Sequence, residues 1–204
     1  MKNYEKIIDM LNNIKVGCNS YDIFNDWISF MTISINNRFN YSQTLEDMYL
    51  SIVKQYTRDE LLKYGDCMYL LADCFEEKID DYLGKIYMNL GGNSRTGQFF
   101  TPFNICEMMA KIQLSKYDGE RIVLNEPSAG GGANVLAAAK AIKDKGYNYQ
   151  KLLHVVSQDI DRKCSYMQFV QYTLTGISAE VVNGDTLSGQ VNFKLYTPSY
   201  FLRS

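Results

Sequence analysis

Between residues 121 and 185 the sequence alternates short apolar runs with longer helical stretches, and few folds accept that alternation. RIVLN (121–125), LLHVVSQ (152–158) and AEVVN (179–183) read as strands. Their near-continuous apolar character suits parallel strands covered on both faces. Residues 132–145, rich in alanine, and 162–175 read as the helices between them. A β-α-β-α-β series of this kind predicts a parallel sheet with right-handed crossovers, which is half of a doubly wound nucleotide-binding fold. Two further strand-like stretches, VNFKLY and YFL, follow it.

The first half is built differently. It contains no proline; the three prolines are Pro102, Pro127 and Pro198. Helices are expected over 22–37, with Ile23, Trp27, Phe30, Met31 and Ser34 on one stripe, and from a cap at Thr44, with Leu45, Met48, Ile52 and Val53 on one face. A third is expected over 66–84 and a short amphipathic one over 2–16. Residues 89–104, NLGGNSRTGQFFTPFN, read as a loop, and 104–114 as a helix. The expected division is a helical amino-terminal region, 1–95, and an α/β core, 96–204. The first carries 10 basic and 14 acidic residues, the second 11 and 9.

With 46% hydrophobic and 22% charged residues the composition is that of a globular protein. A net charge of −2 excludes a surface that is cationic throughout, so any nucleic-acid contact must be a local patch. Lys140, Lys143, Lys145 and Lys151 read as solvated-face lysines. No apolar run approaches the roughly 18 residues of a membrane span, and MKNYEKIIDMLNN is too polar for a signal peptide. The expectation is a cytoplasmic protein with no membrane contact. The five cysteines show no CxxC spacing, so neither a disulfide framework nor a zinc site is expected. The single histidine, His154, reads as a strand residue, which argues against His-dependent triads and multi-His metal sites.

The chemistry concentrates at the strand ends. The first strand runs into Glu126-Pro127-Ser128-Ala129-Gly130-Gly131-Gly132. Glycines there let the backbone turn sharply and let a ligand lie against the main chain. Gly130 and Gly132 fit the start of a dinucleotide fingerprint, but its third small position is Val135, and no P-loop lysine follows. The pattern acid-x-x-x-Gly-x-Gly is met by Glu126, Gly130 and Gly132. It suits a ligand with a cationic ammonium end, such as S-adenosylmethionine. Asp159, after the second strand, can accept both ribose hydroxyls, and Asp185, after the third, can accept from the adenine amino group. Helix capping is the competing use of such aspartates.

In order and spacing, GQFFTP (97–102), EPSAGGGA (126–133), QDID (158–161) and NGDTL (183–187) resemble the adenine-specific DNA methyltransferases, in particular the modification subunits of type I restriction systems. The resemblance covers roughly residues 80–200. It implies a Rossmann-like S-adenosylmethionine-dependent core, abbreviated here. It also implies transfer of a methyl group to adenine in DNA, within restriction-modification. By this resemblance Phe100, Thr101 and Pro102 line the methionine end of the cofactor. Glu126, Ser128, Gly130 and Gly132 form its loop, Asp159 holds its ribose, and Asp185 its adenine. The expected partners are DNA, and either further copies of the chain or a specificity subunit.

The family positions the flipped adenine with Asn/Asp-Pro-Pro-Tyr/Phe after the fourth strand. This chain has Thr197-Pro198-Ser199-Tyr200 at the matching place. Thr197, Pro198 and Tyr200 are therefore the candidate catalytic residues, in a decayed version of the motif. The alternative is an edge strand with an ordinary end, in a module that binds cofactor, catalyses nothing and acts through protein contacts.

Overall fold

The computed structural model describes residues 2–15, 18–92 and 97–202. The chain divides into two compact units, one of residues 1–78 and 82–99, the other of 79–81 and 100–204.

The first unit is helical: α1 (Asn3–Asn12), α2 (Ser20–Phe39), α3 (Gln43–Val53), α4 (Arg58–Glu77) and α5 (Tyr82–Asn89). Side-chain caps set three of the starts. Asn19 accepts from the Tyr21 N–H, Ser42 from Leu45, and Thr57 from Glu60. Ser42, and not Thr44, therefore caps α3. Thr57 and Glu60 form a reciprocal capping box, which starts α4 well before residue 66. The expected 66–84 helix is two helices. Between them Asp80 accepts the Asp81 N–H at 2.8 Å, the kind of local bond with which aspartate competes against a helix. On α2 the buried stripe includes Phe24 and Ile28, while Ser34 is exposed. Trp27 is fully buried and donates to the Tyr64 carbonyl at 3.1 Å; the Tyr64 hydroxyl donates to the Ile23 carbonyl at 3.1 Å. These bonds tie α4 to α2 where the aromatic core is densest.

In the second unit α6 (Phe103–Gln113) precedes a four-stranded sheet. Its strands are β1 (Ile122–Glu126), β2 (Leu153–Asp159), β3 (Ser178–Asp185) and β4 (Gln190–Tyr196), in that order across the sheet. Helix α7 (Ala133–Asp144) and the short α8 (Tyr149–Leu152) join β1 to β2, and α9 (Arg162–Thr175) joins β2 to β3. The first three strands are parallel, with Ile122 opposite Leu153 and His154 opposite Ser178. The α/β core is therefore the expected β-α-β-α-β unit. Its centre is apolar: Leu153, Val155, Ala179 and Val181 are fully buried, whereas Val123 of β1, expected in a buried strand, is 67% exposed. Each such buried aliphatic side chain larger than alanine contributes about 1.5–3 kcal/mol by leaving water.

VNFKLY, expected only as a strand-like stretch, is the last strand. β4 returns antiparallel to β3, with Glu180 opposite Tyr196 and a register shift at Asn183/Gly184. Gly184 has no room for a Cβ, because the Gln190 carbonyl lies against it. YFL is not a strand; Pro198–Phe201 form one helical turn, α10, with Pro198 in its first turn. Thr197 is fully buried and closes the sheet at this end. Its hydroxyl donates to the Ile177 carbonyl at 2.8 Å and accepts the Ala179 N–H at 2.9 Å, continuing the ladder with a side chain.

Thr197→Val keeps the shape and removes both bonds, leaving a buried donor and acceptor unpaired. The expected cost is about 1–3 kcal/mol, read as a lower denaturant midpoint at unchanged slope.

Candidate functional site

The carboxyl ends of β1, β2 and β3 converge on the loop 127–132. Ala129 N–H donates to the Gln158 carbonyl at 2.9 Å, and Gly130 N–H donates to Asp159 Oδ2 at 2.8 Å. Two bonds thus fasten the loop after β1 to the end of β2. The Gly132 N–H closes a turn on the Ala129 carbonyl at 2.9 Å, and Gly132 caps α7 at φ 100°. Only glycine suits that backbone and that space: a Cβ there would lie 2.7 Å from the Tyr172 hydroxyl. Gly130, at φ 53°, packs against Phe100, whose ring a Cβ would meet at 3.3 Å.

The acids occupy different surroundings. Glu126 is half-buried and accepts from Asn134 Nδ2 at 3.2 Å. Asp159 Oδ1 accepts the Asp161 N–H at 2.9 Å, so each oxygen of Asp159 already takes one backbone donor. Burial pushes the Asp159 carboxyl above its ordinary value, against the lowering effect of those two N–H groups. Asp185 is held below its ordinary value by hydrogen bonds from the Ser188 hydroxyl and the Leu187 N–H. The Thr186 hydroxyl donates to the Pro127 carbonyl at 2.6 Å, which brings the turn after β3 to the same loop.

Several further side chains belong to this constellation. Asn183 donates to the Asp159 and Ile160 carbonyls at 3.1 Å. Gln168 donates to the Gly130 carbonyl and Gln171 to the Gly131 carbonyl, each at 2.8 Å. Sequence reasoning missed both glutamines, because α9 (RKCSYMQFVQYTLT) carries polar residues along its whole length and nothing sets these two apart.

The profile of the N-6 DNA methylase family matches residues 76–195, more than half of the chain. The chain belongs to the N-6 DNA methylase family. No curated protein matches it significantly in sequence. Among solved structures it is similar to the type I restriction-modification system methyltransferase subunit from Streptococcus thermophilus, at 14% identity and a TM-score of 0.46. That match covers 92% of this chain and 58% of the other, so the chain spans less than two thirds of that protein's length.

Within this N-6 DNA methylase chain the expected cofactor residues fall in one region. Glu126, Ser128, Gly130, Gly132, Asp159 and Asp185 lie at the carboxyl edge, with Phe100 against Gly130. Thr101 and Pro102 are exposed, and Pro102 stands at the N-cap of α6. Residues 93–96 of the expected loop lie outside the described residues. The three candidate catalytic residues are not brought to this edge. Because β4 runs antiparallel, Thr197, Pro198 and Tyr200 sit where β2 and β3 begin. Thr197 bonds to Ile177 and Ala179, and the Tyr200 ring lies 5.7 Å from that of His154. His154 is a strand residue whose Nδ1 is 3.0 Å from the Ser178 hydroxyl. Lys140 pairs with Glu107 at 3.2 Å and Asp144 at 2.7 Å, whereas Lys143, Lys145 and Lys151 are exposed. Among the described residues no group of acids, histidines and cysteines could hold a metal ion, and no helix is long and apolar enough to cross a membrane.

Gly132→Ala forces a side chain into the left-handed region and against Tyr172. A loss of at least about 1–3 kcal/mol is expected, read by thermal denaturation. A second expectation concerns pH. The folded Asp159 carboxyl titrates above its unfolded value, so folding favours its protonated form. Its stabilising contribution is present below the ordinary carboxylate range and is lost as pH rises through the raised value. Relative to Asp159→Asn, the wild type should therefore lose stability from acid towards neutral pH across that window. A difference in melting temperature that does not change with pH would contradict the assignment.

Proposed function

We propose that this N-6 DNA methylase chain binds S-adenosylmethionine at the carboxyl edge of its sheet and serves methyl transfer to adenine in DNA. One observation carries the reading. Three carboxylates, Glu126, Asp159 and Asp185, end three successive parallel strands around one glycine-rich loop. The donor set of the cofactor matches these acceptors: an ammonium for Glu126, a ribose diol for Asp159, and an adenine amino group for Asp185. Phe100 packs against Gly130, the exposed Thr101 and Pro102 follow it in the chain and would line the methionine end, and Ser128 is exposed on the loop. When bound, the cofactor supplies an electrophilic methyl group. The chain's own residues fix its orientation: Asp159 does so while anchored by Gly130 and Asp161, so its carboxylate is set in place before the ligand arrives. DNA is the substrate in this reading, and a further subunit or copy of the chain supplies recognition.

A second reading has its own observation. Thr197, Pro198 and Tyr200, the candidate counterpart of the adenine-holding motif, lie at the opposite edge from the glycine loop. On that ground the chain by itself is a cofactor-binding module, and methyl transfer waits on acceptor groups from elsewhere.

Calorimetric titration with S-adenosylmethionine tests the shared premise. Micromolar binding is expected, weakened at least about tenfold, or ~1.4 kcal/mol, in Asp159→Ala. A folded wild-type chain that does not bind would sink both readings. Transfer of labelled methyl groups to unmethylated DNA by the purified chain separates them. Incorporation supports catalysis without help, and binding without incorporation supports the module.

A further inference from the structure

Helix α9 is buried from Cys164 to Tyr172, yet it places two amides against the glycine loop. Gln168 and Gln171 are both fully buried. They stand three residues apart and so share a face of the helix. Gln168 Nε2 donates to the Gly130 carbonyl at 2.8 Å, and its Oε1 accepts the Ser157 hydroxyl at 2.7 Å. Gln171 Nε2 donates to the Gly131 carbonyl at 2.8 Å and to Asp81 Oδ1 at 2.9 Å. The loop approaches α9 closely because it lacks side chains: a Cβ on Gly131 would lie 2.9 Å from Met167 Cε.

Burying an amide is costly unless it is bonded. These two spend their donors on consecutive carbonyls of one loop. In a trans peptide the N–H points opposite to the C=O. Holding the Gly130 carbonyl towards α9 therefore turns the Gly131 N–H away from the helix. That N–H makes no hydrogen bond among the described residues, whereas the Gly130 and Gly132 N–H groups are taken by Asp159 and Ala129.

We propose that Gln168 and Gln171 are positioning residues which, by holding two successive loop carbonyls inward, present the Gly131 N–H to an acceptor atom of the bound cofactor. This rests on the S-adenosylmethionine reading above and adds to it the groups that set the loop.

Gln168→Met and Gln171→Met keep length and remove the donors. Leu195→Ala, in the core of β4 and away from the loop, is the control for general loss of stability. In calorimetric titration with S-adenosylmethionine each Met variant should bind about tenfold more weakly, while Leu195→Ala keeps wild-type affinity. Gln168→Glu provides rescue and a fallback should a Met variant not fold. As a neutral acid it can donate to the Gly130 carbonyl, and as a carboxylate it cannot. Its affinity relative to wild type should recover on acidification, which lost packing would not produce. Folded variants that bind as tightly as wild type would overturn the proposal. Amide exchange in the ligand-free chain decides it separately. Protection at Gly130 and Gly132 should fall in the Gln variants and not in Leu195→Ala. Unchanged protection there refutes the positioning role even if cofactor binds. A wild type that fails to bind, with protection changed as expected, refutes the cofactor reading alone.

Discussion

The bond from the Gly130 N–H to the Asp159 carboxylate joins the end of β1 to the end of β2, and the site is arranged around it. It makes one side chain serve the loop after β1 and the end of β2 together. Burial raises the cost of charging that carboxyl, and the two N–H groups offset part of the cost. An acid in this position therefore has a structural duty before it has any ligand. The same applies to Thr186, whose hydroxyl links the turn after β3 to Pro127, and to Asn183, which spans from β3 to the end of β2. Three strand ends are cross-tied by polar groups where the hydrophobic core stops.

Beneath these ties the loop needs close packing without side chains. Gly131 sits on Met167 and Gly132 on Tyr172, both on α9. The left-handed backbone at Gly132 starts α7 without a side-chain cap. The loop's shape is therefore set by α9 below it as much as by its own sequence. Helices that bury every face are usually apolar throughout. α9 departs from that with Ser165, Gln168 and Gln171, all buried, and the two glutamines satisfy loop groups that regular secondary structure leaves unpaired.

The α/β core was legible because its signals are local and repeated. Apolar runs, glycine loop and terminal acids recur in register, and the strands β1 to β3 lie within a residue or two of the expected runs. The helical half was legible in kind and less so in its boundaries. The capping box at Thr57 and Glu60 was present as a pattern, whereas the break before α5 depends on Asp80 finding a backbone partner, which periodicity does not register. At the site, the glycines and acids announce themselves by type and spacing. Gln168 and Gln171 do not, since a glutamine in a helix is ordinarily a surface residue, and its role becomes visible only when the loop is laid over it.

Strand direction explains why the candidate catalytic segment falls elsewhere. A motif read by order along the chain reaches the carboxyl edge only if its strand runs parallel to the others. The turn at 186–189 is short, too short for the crossover a parallel strand requires, so VNFKLY can pair with β3 only as a hairpin. The next residues then emerge at the amino edge. There Thr197 completes the ladder and Tyr200 joins a cluster with His154 and Tyr196. The length of one turn thus separates an adenine-holding motif from a sheet closure. On the described residues the segment is built as the closure, with its hydroxyl fully committed to backbone partners.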